Sequence, residues 1–168
     1  IIAPERALRP RQLGPTSDAD RAQPCPFCPG NEQLTPPESW AERPGDSQPD
    51  RPGWSIRVVP NKYPAVTADN IETDGQNTDR IAGAGIHEVI IENAAHVANL
   101  AALDEERFSE IFRAYRGRLR AVRQDRRWRF ALIFKNQGER AGATIEHAHA
   151  QLLALPFVPA DVENELSS

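Results

Sequence analysis

A chain of 168 residues, 39% hydrophobic and 26% charged, is long enough to bury one ordinary core and short for two. Its net charge of −4 lacks the surplus of Lys and Arg that duplex phosphates demand, which argues against a nucleic-acid partner and for a small ligand. No run approaches the ~18 apolar residues a membrane helix needs, so the expectation is a soluble, cytoplasmic protein with no membrane partner.

In chain order, residues 1–4 (IIAP) read as a strand already in progress, and residues 161–168 stop without a closing element, which suggests part of a longer chain. Thirteen of the fifteen prolines lie at or before Pro64, so residues 65–155 can hold uninterrupted ladders and helical turns. Residues 29–54, rich in Pro, Gly, Asp and Ser, read as a long surface excursion whose ends something must tie down. Residues 55–60 (SIRVVP) form a short strand candidate, and residues 68–85 a polar, Gly-containing loop. Residues 85–92 (GIHEVIIE) are β-branched enough for a strand.

Between residues 104 and 124, Phe108, Ile111, Phe112, Tyr115, Leu119 and Val122 recur at the spacing that lines one helix face. Asp104 suits the N-cap, Leu103 and Phe108 a hydrophobic staple, and Glu105 and Glu106 the positive end of the helix dipole. Residues 128–135 (WRFALIFK) form another strand with Phe130, Leu132 and Phe134 on one face, and residues 147–155 a third. Strand, helix, strand, strand with short links predicts an α+β fold, an antiparallel sheet covered by one long helix.

Two of the four histidines lie two apart in Glu146-His147-Ala148-His149-Ala150-Gln151. On a strand, period two sets His147, His149 and Gln151 on one wall, with the small alanines on the other. Such a wall is a poor core stripe, because each buried polar group needs a partner; a solvated edge strand with coincidental histidines is the plain alternative. Cys25-Pro26-Phe27-Cys28 suits a soft metal ion or a redox pair. The prolines around it make a loop rather than the helix start of a redox motif, which favours a metal. Two further ligands must then come from distant histidines, since no second close pair exists. The arginines of the helix and its exit (Arg113, Arg116, Arg118, Arg120, Arg123, Arg126, Arg127, Arg129) read as a solvated face or a phosphate surface, and His87 is left without a role.

CPFCPGNE (residues 25–32), RVVPNKYPAV (57–66), FKNQGERAGAT (134–144) and HAHAQ (147–151) occur in the order seen in galactose-1-phosphate uridylyltransferases, a branch of the histidine-triad superfamily that this chain resembles. The opening IIAPERALRP is also similar to that family's early strand. The resemblance implies a histidine-triad-like first half of a two-repeat transferase: one N-terminal domain over residues 1–168, with a zinc-tethered loop at 24–54 and a catalytic core at 55–159. It implies Zn2+ held by Cys25, Cys28, His96 and His147, His149 as nucleophile, and Gln151 as a catalytic amide where the related hydrolases carry a third histidine. It further implies Asn136, Gly138, Gly142 and Thr144 around the phosphates, with Asn61 and Phe27 at ribose and base.

The implied reaction is transfer of a uridylyl group between UDP-glucose and galactose 1-phosphate in a homodimeric intact enzyme. Ala148 and Ala150, standing where Pro and Gly are usual, also resemble the adenylyl-transferring, ADP-sugar phosphorylase branch. A zinc-stabilised nucleotide-binding module without turnover, and a nucleotide hydrolase, are the readings of other classes.

Overall fold

The computed structural model describes residues 24–68, 83–138, 141 and 143–167, so the expected opening strand, much of the loop at 68–85 and Gly142 lie outside the described residues. Five strands, β1 (Trp40–Glu42), β2 (Ile56–Pro60), β3 (Ile86–Ile91), β4 (Phe130–Phe134) and β5 (His149–Leu155), form one sheet in the order β1-β2-β3-β5-β4. Every pairing is antiparallel, and β5 enters between β3 and β4. A 20-residue helix, α1 (Glu105–Gln124), covers one face, as the expected α+β arrangement requires.

Asp104 caps α1 by accepting from the Arg107 N–H, and Glu105 and Glu106 occupy its first turn. The side of α1 that enters the core is formed by Ile111, Ala114 and Val122, with Tyr115 and Leu119 beside them, against Ile56, Val58, Ile90, Ala150, Leu152 and Ala154 of the sheet. Full burial of a side chain such as Ile90 or Leu152 contributes roughly 1.5–3 kcal/mol each. The expected stripe begins too early. Phe108 and Phe112 are exposed and meet with tilted rings 5.1 Å apart, while Leu103 turns into the core.

Phe130, Leu132 and Phe134 alternate as period two demands, yet theirs is the face turned away from α1; Ala131 and Ile133 meet the helix-side core. At the far end the expectation of no closing element is corrected, because Ala160–Leu166 forms a short helix, α2, led by Pro159 with Asp161 and Glu163 in its first turn.

The excursion at 29–54 is secured by polar contacts, chiefly from an arginine on the neighbouring strand β2. Arg57, almost wholly buried on β2, donates to Thr35 Oγ1 at 2.8 Å, Glu38 at 2.9 Å and Asp50 at 2.6 Å. Buried Glu32 accepts from the Gly30 N–H and from the Trp54 indole N–H, joining the start of the excursion to its end. Inside the excursion, β1 pairs with β2 and supplies the sheet edge.

Candidate active site and metal centre

The two cysteines sit in turns closed by Cys28 N–H to Cys25 C=O and Asn31 N–H to Cys28 C=O, so both sulfurs project from one tight loop. Opposite them stand His96, in the loop after β3, and His147, in the residues that lead into β5. One ligand atom from each of Cys25, Cys28, His96 and His147 falls within 4.8 Å of the others. The Nδ1 of His147 lies 3.7 Å from Cys25 Sγ and 3.6 Å from Cys28 Sγ, and His96 Nδ1 lies 3.2 Å from Cys28 Sγ. Sulfur and nitrogen around one tetrahedral ion are separated by about 3.5 Å, so the group fits a closed metal site.

The donor chemistry points the same way. His147 is fully buried, and its Nε2–H donates to the Asn93 carbonyl at 2.7 Å, which leaves Nδ1 as a lone pair aimed at the sulfurs. Burial lowers the His147 pKa, so the ring is held neutral, as a ligand must be. Burial, then the adjacent Cys25 sulfur, pushes the Cys28 thiol up to about 11. Two crowded sulfurs ionise readily only beside a cation.

His149 lies two residues on, at the first position of β5, on the sheet face away from α1. Its Nδ1–H donates to the His147 carbonyl at 2.8 Å, so the neutral tautomer keeps its lone pair on Nε2. Burial lowers its pKa, and the Lys135 ammonium lowers it further; both keep the ring unprotonated and nucleophilic near neutral pH. Phe27 stands edge-on to both histidines, at 5.1 Å from the His149 ring and 6.2 Å from that of His147, and is itself buried with Trp54, Val59, Val89 and Ile91.

Gln151 follows on the same face, and Asn61 reaches it from the end of β2, Nδ2 to Oε1 at 3.5 Å. Asn136 and Gly138 leave β4 at the end where His149 begins β5, since Phe134 pairs with Gln151. Gly138 has φ of 77°, a left-handed conformation that favours glycine, and its carbonyl accepts the Ala141 and Ala143 N–H groups, curling the loop back on itself. Thr144 is exposed on this loop. An open recess of about 710 Å³ lies elsewhere, between the end of α1 and β4, and is lined by none of the predicted site residues.

Four groups without a predicted role in the site join it. Lys135 donates to the His149 carbonyl at 3.0 Å and to the buried carboxylate of Glu92, which also accepts from the Tyr115 hydroxyl. Burial and that carboxylate raise the Tyr115 pKa, so the phenol stays a donor. The available signal was an acidic residue closing an otherwise apolar strand, Val89-Ile90-Ile91-Glu92, which needs a partner when buried. His87, five residues before Glu92, contacts Gln151 from β3.

Residues 5–159 match the family described as "Galactose-1-phosphate uridyl transferase, N-terminal domain". The chain belongs to that family. Among its relatives, an ADP-glucose phosphorylase of Arabidopsis thaliana is 35% identical over 174 residues, 99% of this chain and 48% of that protein. A galactose-1-phosphate uridylyltransferase of Thermotoga maritima is 22% identical over 147 residues, covering 86% of this chain and 41% of the other. A crystal structure of the Arabidopsis thaliana ADP-glucose phosphorylase with bound ADP-glucose superimposes with a TM-score of 0.71 at 36% identity, covering 98% of this chain and 48% of that one. The chain thus spans about half the length of the curated relatives it matches.

Proposed function

We propose that the protein passes a nucleoside monophosphate from a nucleotide sugar to a second phosphate through a covalent bond to His149. The observation that carries this is the tautomer of His149: its Nδ1–H is spent on the His147 carbonyl, which leaves Nε2 as a lone pair on the strand face that also carries Gln151. In the first step Nε2 attacks the α-phosphorus, a P–N bond forms, and the P–O bond to the sugar 1-phosphate breaks. In the second, an acceptor phosphate oxygen attacks the same phosphorus and the nitrogen leaves. An incoming sugar 1-phosphate yields a new nucleotide sugar; inorganic phosphate yields a nucleoside diphosphate. Gln151 donates to a non-bridging phosphate oxygen without titrating, and Asn136, Gly138 and Thr144 lie around the phosphates, with Asn61 and Phe27 near ribose and base.

The ion held by Cys25, Cys28, His96 and His147 is zinc in this reading, since two thiolates and two imidazoles make a closed, structural coordination shell. Its task is to join the cysteine loop to the residues that enter β5, fixing the carbonyl on which His149 rests.

The adenylyl group, with ADP-glucose as donor, is the favoured cargo, because the phosphorylase relative is 35% identical against 22% for the uridylyltransferase. Uridylyl transfer between UDP-glucose and galactose 1-phosphate is the second reading, supported by the family match. Intact-mass measurement of the full-length protein after incubation with each nucleotide sugar separates them: an adenylyl adduct on His149 supports the first, a uridylyl adduct the second. The absence of both sinks the covalent mechanism. Steady release of free mononucleotide without an acceptor would indicate a hydrolase instead.

A further inference from the structure

We infer that His87 is a positioning residue that turns the Gln151 amide so that its NH2 group faces the phosphate; this deepens the transfer reaction proposed above and rests on it. Two backbone donors set the whole arrangement. The Ala65 N–H donates to His87 Nδ1 at 2.9 Å, so Nδ1 is the acceptor nitrogen and the proton of the neutral ring sits on Nε2. The Tyr63 N–H donates to Asn61 Oδ1 at 2.9 Å, so the Asn61 NH2 group is the end that points toward His87 and Gln151.

Both consequences converge on one atom. His87 Nε2 lies 2.9 Å from Gln151 Oε1, Asn61 Nδ2 lies 3.5 Å from the same oxygen, and the two nitrogens, 3.1 Å apart, are both donors that can be satisfied together only by sharing that acceptor. The carbonyl oxygen of Gln151 therefore accepts from His87, with Asn61 placed beside it, and its NH2 group is turned to the other side, with no hydrogen-bond partner among the described residues. Without a fixed donor at His87 Nε2 the amide could rotate by half a turn and offer its oxygen to the phosphate, which would repel it. His87 is nearly buried, and the Asn61–Tyr63 turn that holds it follows directly from β2, so the arrangement stands before any ligand arrives.

The test is a double-mutant cycle on the full-length protein, read as the single-turnover rate of adduct formation with whichever of ADP-glucose or UDP-glucose loads the wild type. His87→Asn keeps an acceptor for the Ala65 N–H and removes the donor to Gln151. It should slow saturated adduct formation by ~10-fold while leaving apparent nucleotide-sugar affinity within ~2-fold, and should slow it no further in a Gln151→Ala background. His87→Gln, whose amide N–H can reach the same place, should recover most of the rate and serves equally if the asparagine variant misfolds. Equal losses in both backgrounds, or no loss in either, would overturn the inference while leaving the His149 adduct intact. A wild type that forms no adduct removes the transfer reading, and this inference with it.

Discussion

His147 and His149 sit two residues apart and carry opposite lone pairs. His147 gives its Nε2–H to Asn93 and turns Nδ1 to the sulfurs, whereas His149 gives its Nδ1–H to His147 and keeps Nε2 for the open face of the sheet. Just before β5 the chain thus offers a nitrogen to a candidate metal site, and two residues on, at the first position of β5, it offers one to the sheet face away from α1. The difference lies wholly in which backbone carbonyl each ring meets. A carbonyl costs no titration and does not drift, so it fixes a tautomer more firmly than a side chain does.

The sharpest way to break this comparison is to remove each ring in turn. His149→Ala should lower adduct formation at least ~10³-fold, with metal content and melting temperature unchanged. His147→Ala should instead release the metal, measured by atomic absorption, and lower the melting temperature by more than about 5 °C. If His149→Ala also loses the metal, the two ends are not separable and the division of labour fails.

Next in size is the support beneath His149. Lys135→Met leaves the Glu92 carboxylate, wholly buried, without its cation. Chemical denaturation should show a loss of about 3 kcal/mol, and Glu92→Gln in the same chain should recover part of it. A smaller effect is expected from pH. Burial depresses both imidazole pKa values, so folding favours their neutral forms. Their contribution to stability is fully present above the ordinary histidine pKa of about 6.5 and is lost as the pH falls below it. Adduct formation should hold level from neutral pH down and decline only at a midpoint below about 6.5; a midpoint above that value contradicts the buried geometry. As the smallest effect, Asp104→Ala at the α1 N-cap should cost about 1 kcal/mol without altering metal content or adduct rate.

Some of the site could be read directly from residue order. Two cysteines separated by two residues in a proline-rich loop favour a metal over a redox pair, and alternation places His149 and Gln151 on one strand face in any sheet. The helix over 105–124 and the antiparallel sheet were equally legible, because period 3.6 and period 2 are local properties of the chain. His147 was the partial exception: it belongs to the residues just before β5, so its partnership with the cysteines came from the resemblance and not from strand alternation.

For other residues nothing local named the partner. Arg57 reads as an ordinary polar residue in SIRVVP, yet it is buried and grips Thr35, Glu38 and Asp50 across the excursion. Glu92 and Lys135 lie 43 residues apart and meet only because β5 inserts between β3 and β4. The exposed side of β4 is as apolar as its covered side, so composition could not say which of the two meets α1.

By itself, then, the sequence determined the long helix, four of the five strands, the candidate metal-ligand types, the family and the identity of the candidate nucleophile, since each rests on residues near one another along the chain or on a shared motif order; β1 inside the Pro-rich excursion and the closing helix α2 were missed. Only the tertiary structure decided which nitrogen of each histidine is free, how Gln151 is turned and what lies beneath His149. Those choices depend on single hydrogen bonds to carbonyl and amide groups brought from distant segments, and a donor or acceptor that every residue carries leaves no mark in the sequence.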